Sequence, residues 1–97
     1  MKILVADDDA VQRTMLHHFL TAWGYEAVLA SDGSEAWQVL QQPQAPQLAI
    51  LDWMMPGMDG VDLCRKVRGL QERPYTYLLL LTGKGGVDVL EGEKQTL

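Results

Sequence analysis

The 97-residue chain has one cysteine, one phenylalanine and no apolar run longer than the five residues Tyr77 to Leu81. A lone Cys64 cannot close an internal disulfide, and no N-terminal stretch has the basic, apolar and small-residue order of a secretory signal. A reducing, cytoplasmic setting is therefore expected. Five apolar residues fall far short of the roughly 20 that span a bilayer, so no membrane crossing is expected either. Basic residues are also scarce: eight Lys plus Arg against thirteen Asp plus Glu leave a net charge of −5. That balance repels phosphate backbones and anionic lipid, which disfavours a nucleic-acid or membrane-surface role. Nine Gly and four Pro are too few for a low-complexity chain, and 47% hydrophobic with 22% charged residues is ordinary for a folded core. Residues 1–97 are expected to form a single domain.

What is present is an alternation of two periodicities. Ile3-Leu4-Val5-Ala6 is a continuous apolar run ending in Asp7-Asp8-Asp9, the pattern of a strand (β1) buried on both faces. From Ala10, the residues Val11, Met15, Leu16, Phe19, Leu20 and Trp23 recur at helical spacing, with Asp9 a candidate N-cap and Gly24 a stop signal (α1). Tyr25 to Ala30 reads as a second strand (β2), closed by Ser31-Asp32-Gly33. A helix from about Ser34 to Gln42 (α2) follows, with Ala36, Val39 and Leu40 facing inward. Leu48 to Leu51 repeats the buried-strand pattern (β3) and again ends in an acid, Asp52. The Pro- and Gly-containing stretch Trp53 to Gly60 predicts a loop leading to a third helix (α3), Val61 to about Leu70. Tyr77 to Leu81 is a fourth strand (β4) that runs into Thr82-Gly83-Lys84. The alternation predicts an α/β fold with a doubly wound parallel sheet.

In such a sheet, ligands bind beyond the carboxyl ends of the strands. Asp7 and Asp8 follow β1, Asp52 follows β3 and Thr82 follows β4, so three carboxylates and a hydroxyl are expected at one edge. Two carboxylates about 5 Å apart repel by roughly 3 kcal/mol at an effective dielectric of 20, and a divalent cation is the simplest remedy. All the donors are oxygens, which suits Mg²⁺ or Mn²⁺ and not Zn²⁺. A magnesium ion held this way takes its remaining ligands from water and phosphoryl groups, pointing to phosphoryl transfer. Simpler roles compete for the same residues. Asp9 or Asp8 could serve only to cap α1, and Asp52 before a Pro-Gly loop could be turn chemistry alone. His17, His18, the methionines, Cys64 and the three tryptophans read as packing, loop or solvated helix residues.

Asp7-Asp8, Asp52, the loop Met55-Pro56-Gly57-Met58-Asp59-Gly60 and Leu81-Thr82-Gly83, in this order within a βα alternation, resemble the receiver domain of two-component response regulators. The resemblance is strongest over residues 2–84. It implies a flavodoxin-like receiver fold in which Asp52 accepts a phosphoryl group from a histidine kinase or phosphotransfer protein. It further implies Mg²⁺ bound by Asp7, Asp8, Asp52 and the backbone carbonyl of Met54, and Thr82 as the phosphoryl hydrogen-bond donor that moves on switching. Such a module is a phospho-switch that assists its own phosphorylation and dephosphorylation, with no small-molecule turnover. The alternative that stays open is a phosphorylation-impaired interaction module that keeps the fold.

The chain departs from this pattern after β4, where only fifteen residues, Gly83 to Leu97, remain. The expectation is that the fifth strand and last helix (β5 and α5) are missing, with Gly86 to Gly92 resembling the start of a fourth helix. The family lysine at the end of the fifth strand then has no counterpart, and Lys84 is a candidate substitute. Met54, two residues after Asp52, would border the path of a hydrolytic water and cannot orient one, so slow dephosphorylation is expected. An uncovered β4 would be an apolar edge through which two copies could pair as a homodimer; the other expectation is a fragment of a longer receiver.

Overall fold

The computed structural model describes residues 1–70, residues 75–81 and the backbone of residues 87–90. Its elements run β1 (Lys2–Ala6), α1 (Ala10–Ala22), β2 (Glu26–Ala30), α2 (Gly33–Leu40), β3 (Leu48–Asp52), α3 (Gly60–Arg68), β4 (Tyr77–Leu81) and β5 (Val87–Leu90). They form one sheet in the order β2-β1-β3-β4-β5, the first four strands parallel. The doubly wound α/β sheet expected from the alternation is therefore present.

Alternation along the strands sorts the core into two layers, one on each face of the sheet. Leu4, Ala6, Ala49, Leu51, Leu78 and Leu80 face α2 and α3, against Ala36, Leu40, Leu63, Cys64 and Val67. Ile3 and Val5 face the other way, against Leu20 and the half-buried Leu16 of α1. The continuous apolar runs in β1 and β3 thus reflect burial from both sides.

Each helix begins on an aspartate. Asp9 accepts from the N–H groups of Val11 and Gln12, Asp32 from Glu35 and Asp59 from Asp62, so Asp9, not Asp8, caps α1. The α1 helix ends where Gly24 takes φ +91°, a left-handed conformation that a side chain would strain.

Three expectations need correction. The helix start expected within Gly86 to Gly92 is one: Val87–Leu90 is a strand, and it pairs antiparallel with β4 in the register Leu78↔Leu90, so the parallel part of the sheet stops at β4 as expected. Only five residues, 82–86, connect the two strands. A parallel return needs a crossover of a dozen or more residues, so antiparallel is the direction this spacing permits. The exposed β4 edge is the second, since β5 lies against it and the outer strands are β2 and β5; the pairing of two copies through β4 loses its premise. The third concerns α1. Of its predicted apolar face only Leu20 is buried, while Val11, Met15, Phe19 and Trp23 are exposed. These four, spaced four apart, form a stripe roughly 100° around the helix from Leu16 and Leu20, too far round to reach the sheet. Phe19 and Trp23 stack on each other instead, with ring centroids 6.1 Å apart. Trp37 and Trp53 do pack against the core as expected.

Candidate functional site

The register of the sheet builds the acidic cluster. Ala6 of β1 lies beside Leu51 of β3, so the next residues, Asp7 and Asp52, leave the same edge side by side. Asp52 in turn lies beside Leu81 of β4. One carboxylate oxygen from each of Asp7, Asp8 and Asp52 lies within 4.8 Å of the other two.

The three acids have unequal surroundings. Asp7 is buried at 1% exposure, Asp52 is partly buried and Asp8 is exposed. One Asp7 oxygen, Oδ1, accepts the backbone N–H of Asp9 at 2.9 Å, while Oδ2 is buried with no hydrogen-bond partner. A buried, unpartnered carboxylate oxygen is costly unless something positive meets it. Among the described residues no lysine or arginine forms an ion pair with the three carboxylates. Arg13 approaches but binds the backbone carbonyl of Asp7 through Nη1, steadying the strand end without neutralising the acid. Burial pushes the Asp52 carboxyl up from 3.8 to about 6, followed in weight by the charge of Asp7 and by the hydrogen bonding and charge of Asp8. A carboxylate set with an orphan oxygen and mutual repulsion fits a hard divalent cation such as Mg²⁺.

The backbone around the cluster is fastened on each side. Asp7 donates its N–H to Ala30 at 3.1 Å, and Trp53 donates to Leu81 at 3.0 Å. Gly60 donates to Trp53 at 2.9 Å, closing the loop that follows Asp52. A side chain on Gly60 would strike the Asp52 carbonyl at 2.7 Å, so glycine is required there for space. Met55 drops into the core at 7% exposure, whereas the Met54 side chain turns out to solvent at 70%. Gly57 turns the loop with φ +81° after Pro56.

Asp7, Asp8 and Asp52 are thus brought together, with Met54 on the loop immediately after β3. Thr82 and Lys84 lie outside the described residues. Met55 packs as the sequence suggests, whereas nothing local in the sequence signals the contact of Arg13 with the Asp7 carbonyl, because an ordinary helical arginine carries no mark of such a partner. Cys64, buried in α3, has its thiol pushed up to about 11 by burial, which keeps it protonated and inert. No helix among the described residues is long and apolar enough to cross a membrane.

The family model described as the response regulator receiver domain matches residues 3–94. The chemotaxis protein CheY1 of Helicobacter pylori is 39% identical over 87 residues, covering 89% of this chain and 70% of that protein. The structure of the Vibrio cholerae chemotaxis protein CheY4 superposes with a TM-score of 0.77 at 34% identity, covering 88% of this chain and 70% of that one. The response regulator protein TrrA of Thermotoga maritima, solved in complex with Mg²⁺ and BeF, gives a TM-score of 0.74 at 33% identity, covering 84% of this chain and 68% of that one.

Proposed function

This chain belongs to the response regulator receiver domain family of two-component signalling, and from that premise we propose that residues 1–97 are one receiver unit whose Asp52 accepts a phosphoryl group. The donor is a phosphohistidine of a histidine kinase or phosphotransfer protein. The observation that carries this reading is the meeting of three carboxylates within 4.8 Å, one with a buried oxygen lacking any donor.

Asp7, Asp8 and Asp52, with the Met54 carbonyl, would hold Mg²⁺, which when bound supplies charge neutralisation for the carboxylates and the incoming phosphoryl group. The chain's own residues do the rest. An Asp52 oxygen attacks phosphorus, the new P–O bond forms as the P–N bond of the donor breaks, and the departing imidazole nitrogen takes a proton from water. Asp7, held by the Asp9 N–H, keeps the neighbouring charge fixed. Thr82 is the proposed phosphoryl hydrogen-bond donor and Lys84 the proposed added cation, one and three residues in sequence after Leu81, which is registered beside Asp52. The output is a conformational switch with no turnover of a small molecule, acting in the cytoplasm.

The test uses Trp53, adjacent to Asp52 and half-buried against the core. Mg²⁺ followed by beryllofluoride, a phosphoryl mimic, is expected to change its fluorescence in the wild type and not in Asp52→Asn. Trp53→Phe identifies the reporter among the three tryptophans. A silent wild type assigns the chain to the other reading, an interaction module that is not phosphorylated.

A further inference from the structure

The first residue of α2, Gly33, is buried, and its surroundings are backbone. A Cβ on Gly33 would lie 1.9 Å from the Met58 carbonyl oxygen, 2.8 Å from its carbonyl carbon and 2.9 Å from its Cβ. An L-residue is conformationally acceptable at this position, since Gly33 is not in the left-handed region. The requirement for glycine is thus one of space, and the obstacle cannot rotate away as a side chain could.

Neither partner in this contact is free to retreat. On the α2 side, Glu35 donates its N–H to Asp32 at 2.8 Å, and its carboxylate accepts from the Ser31 N–H and hydroxyl at 2.6 and 3.0 Å. On the loop side, Met55 sits in the core, Met58 packs against it and Gly60 bonds back to Trp53. The turn between β2 and α2 also touches the other half of the site, because Ala30 accepts the Asp7 N–H at its start. One turn therefore braces both the strand end that carries Asp7 and the loop that follows Asp52.

We infer that Gly33 is a positioning residue for the metal site: its missing side chain seats Met58, and that seat fixes the loop carrying Trp53 and Met54. The inference rests on the reading of Asp7, Asp8 and Asp52 as a Mg²⁺ site. Pushing Met58 outward by the Cβ of an alanine displaces the loop and not the three aspartates. The effect is on metal affinity, in the manner of residues that orient ligands without touching the ion, which typically cost tenfold or more.

Mg²⁺ titrations of wild type, Asp52→Asn, Gly33→Ala and Leu40→Ala decide the matter, read by Trp53 fluorescence and by the rise in Tm on adding Mg²⁺. Leu40 is buried at the far end of the same helix and serves as a control for lost stability. Gly33→Ala is expected to weaken Mg²⁺ binding by about tenfold, and Leu40→Ala to lower Tm while keeping the Mg²⁺ affinity. If Gly33→Ala does not fold, Met58→Gly loosens the same contact from the loop side and is expected to weaken Mg²⁺ likewise. A responsive wild type matched by Gly33→Ala, or by Met58→Gly where that variant stands in, overturns the inference alone. A wild type silent to Mg²⁺ overturns the underlying metal-site reading, and the inference with it.

Discussion

Replacing Asp52 by asparagine is expected to stabilise the metal-free protein. Its carboxyl is raised from 3.8 to about 6 by burial and by its two acidic neighbours, so the folded state resists ionisation where the unfolded state does not. Below about pH 4 both states hold the proton and Asp52 has no effect. Between about pH 4 and 6 the unfolded chain releases its proton first, and folding becomes progressively less favourable; above pH 6 the penalty is complete. At about 1.4 kcal/mol per pH unit the full penalty is roughly 3 kcal/mol, and screening at this partly exposed position reduces it to about 1–2 kcal/mol. For a domain of this size that is a rise in Tm of ~4–16 °C on mutation. The assay is thermal unfolding by far-UV circular dichroism in EDTA from pH 4 to 8. The gap between Asp52→Asn and wild type should open between about pH 4 and 6 and stay flat above. Saturating Mg²⁺ at pH 7.5 should then raise the wild-type Tm and leave the variant nearly unmoved. An asparagine variant less stable than wild type at pH 7.5 in EDTA, or a gap that is the same at pH 4 and 7.5, would refute the reasoning.

Asp9→Ala removes the acceptor for two helix N–H groups and should cost about 1 kcal/mol in urea unfolding. Mg²⁺ affinity should hold, and a large loss would mean that Asp9 serves the metal and not only the cap. Leu63→Ala, at a fully buried position between α3 and the sheet, should cost ~2–5 kcal/mol, and a loss below about 1 kcal/mol would contradict the packing described. The exposed Met54 thioether cannot hold a water for attack on an acyl phosphate. Phosphorylated protein should therefore decay over minutes at pH 7, and Met54→Asn should shorten that lifetime several-fold; decay of the wild type within seconds would rule this out.

The legible parts of the fold are those where local pattern and burial coincide. Ile3 to Ala6 and Leu48 to Leu51 are continuous apolar runs because helices cover both faces of a parallel sheet, and the acids that end them mark the ligand edge. The cap at Asp9 was equally visible. Less was visible wherever the deciding contact is distant in sequence. Hydropathy placed Val11, Met15, Phe19 and Trp23 on a helix, but it does not say how far a sheet extends beneath that helix. Val87 to Leu90 is too short to distinguish helix from strand by period, and the five-residue connection was the information that bore on it. The contact of Gly33 with Met58 joins residues 25 apart, which no local pattern can encode.

The acidic cluster therefore arises from sheet register, not from the acids alone. With Ala6 beside Leu51 and Asp52 beside Leu81, the buried faces of β1, β3 and β4 hold the alignment, since a one-residue slip would turn every leucine to the wrong face. The same leucines that stabilise the core thus force Asp7 and Asp52 together against their mutual repulsion. The orphan Oδ2 of Asp7 and the raised carboxyl of Asp52 are two expressions of that constraint. A cation that relieves it binds only the folded register, so Mg²⁺ should raise the stability of the wild type. Asp52→Asn relieves the same repulsion without a cation and removes a carboxylate from the site, so it is expected to raise stability while abolishing the response to Mg²⁺, an opposition that simple loss of a structural acid would not produce.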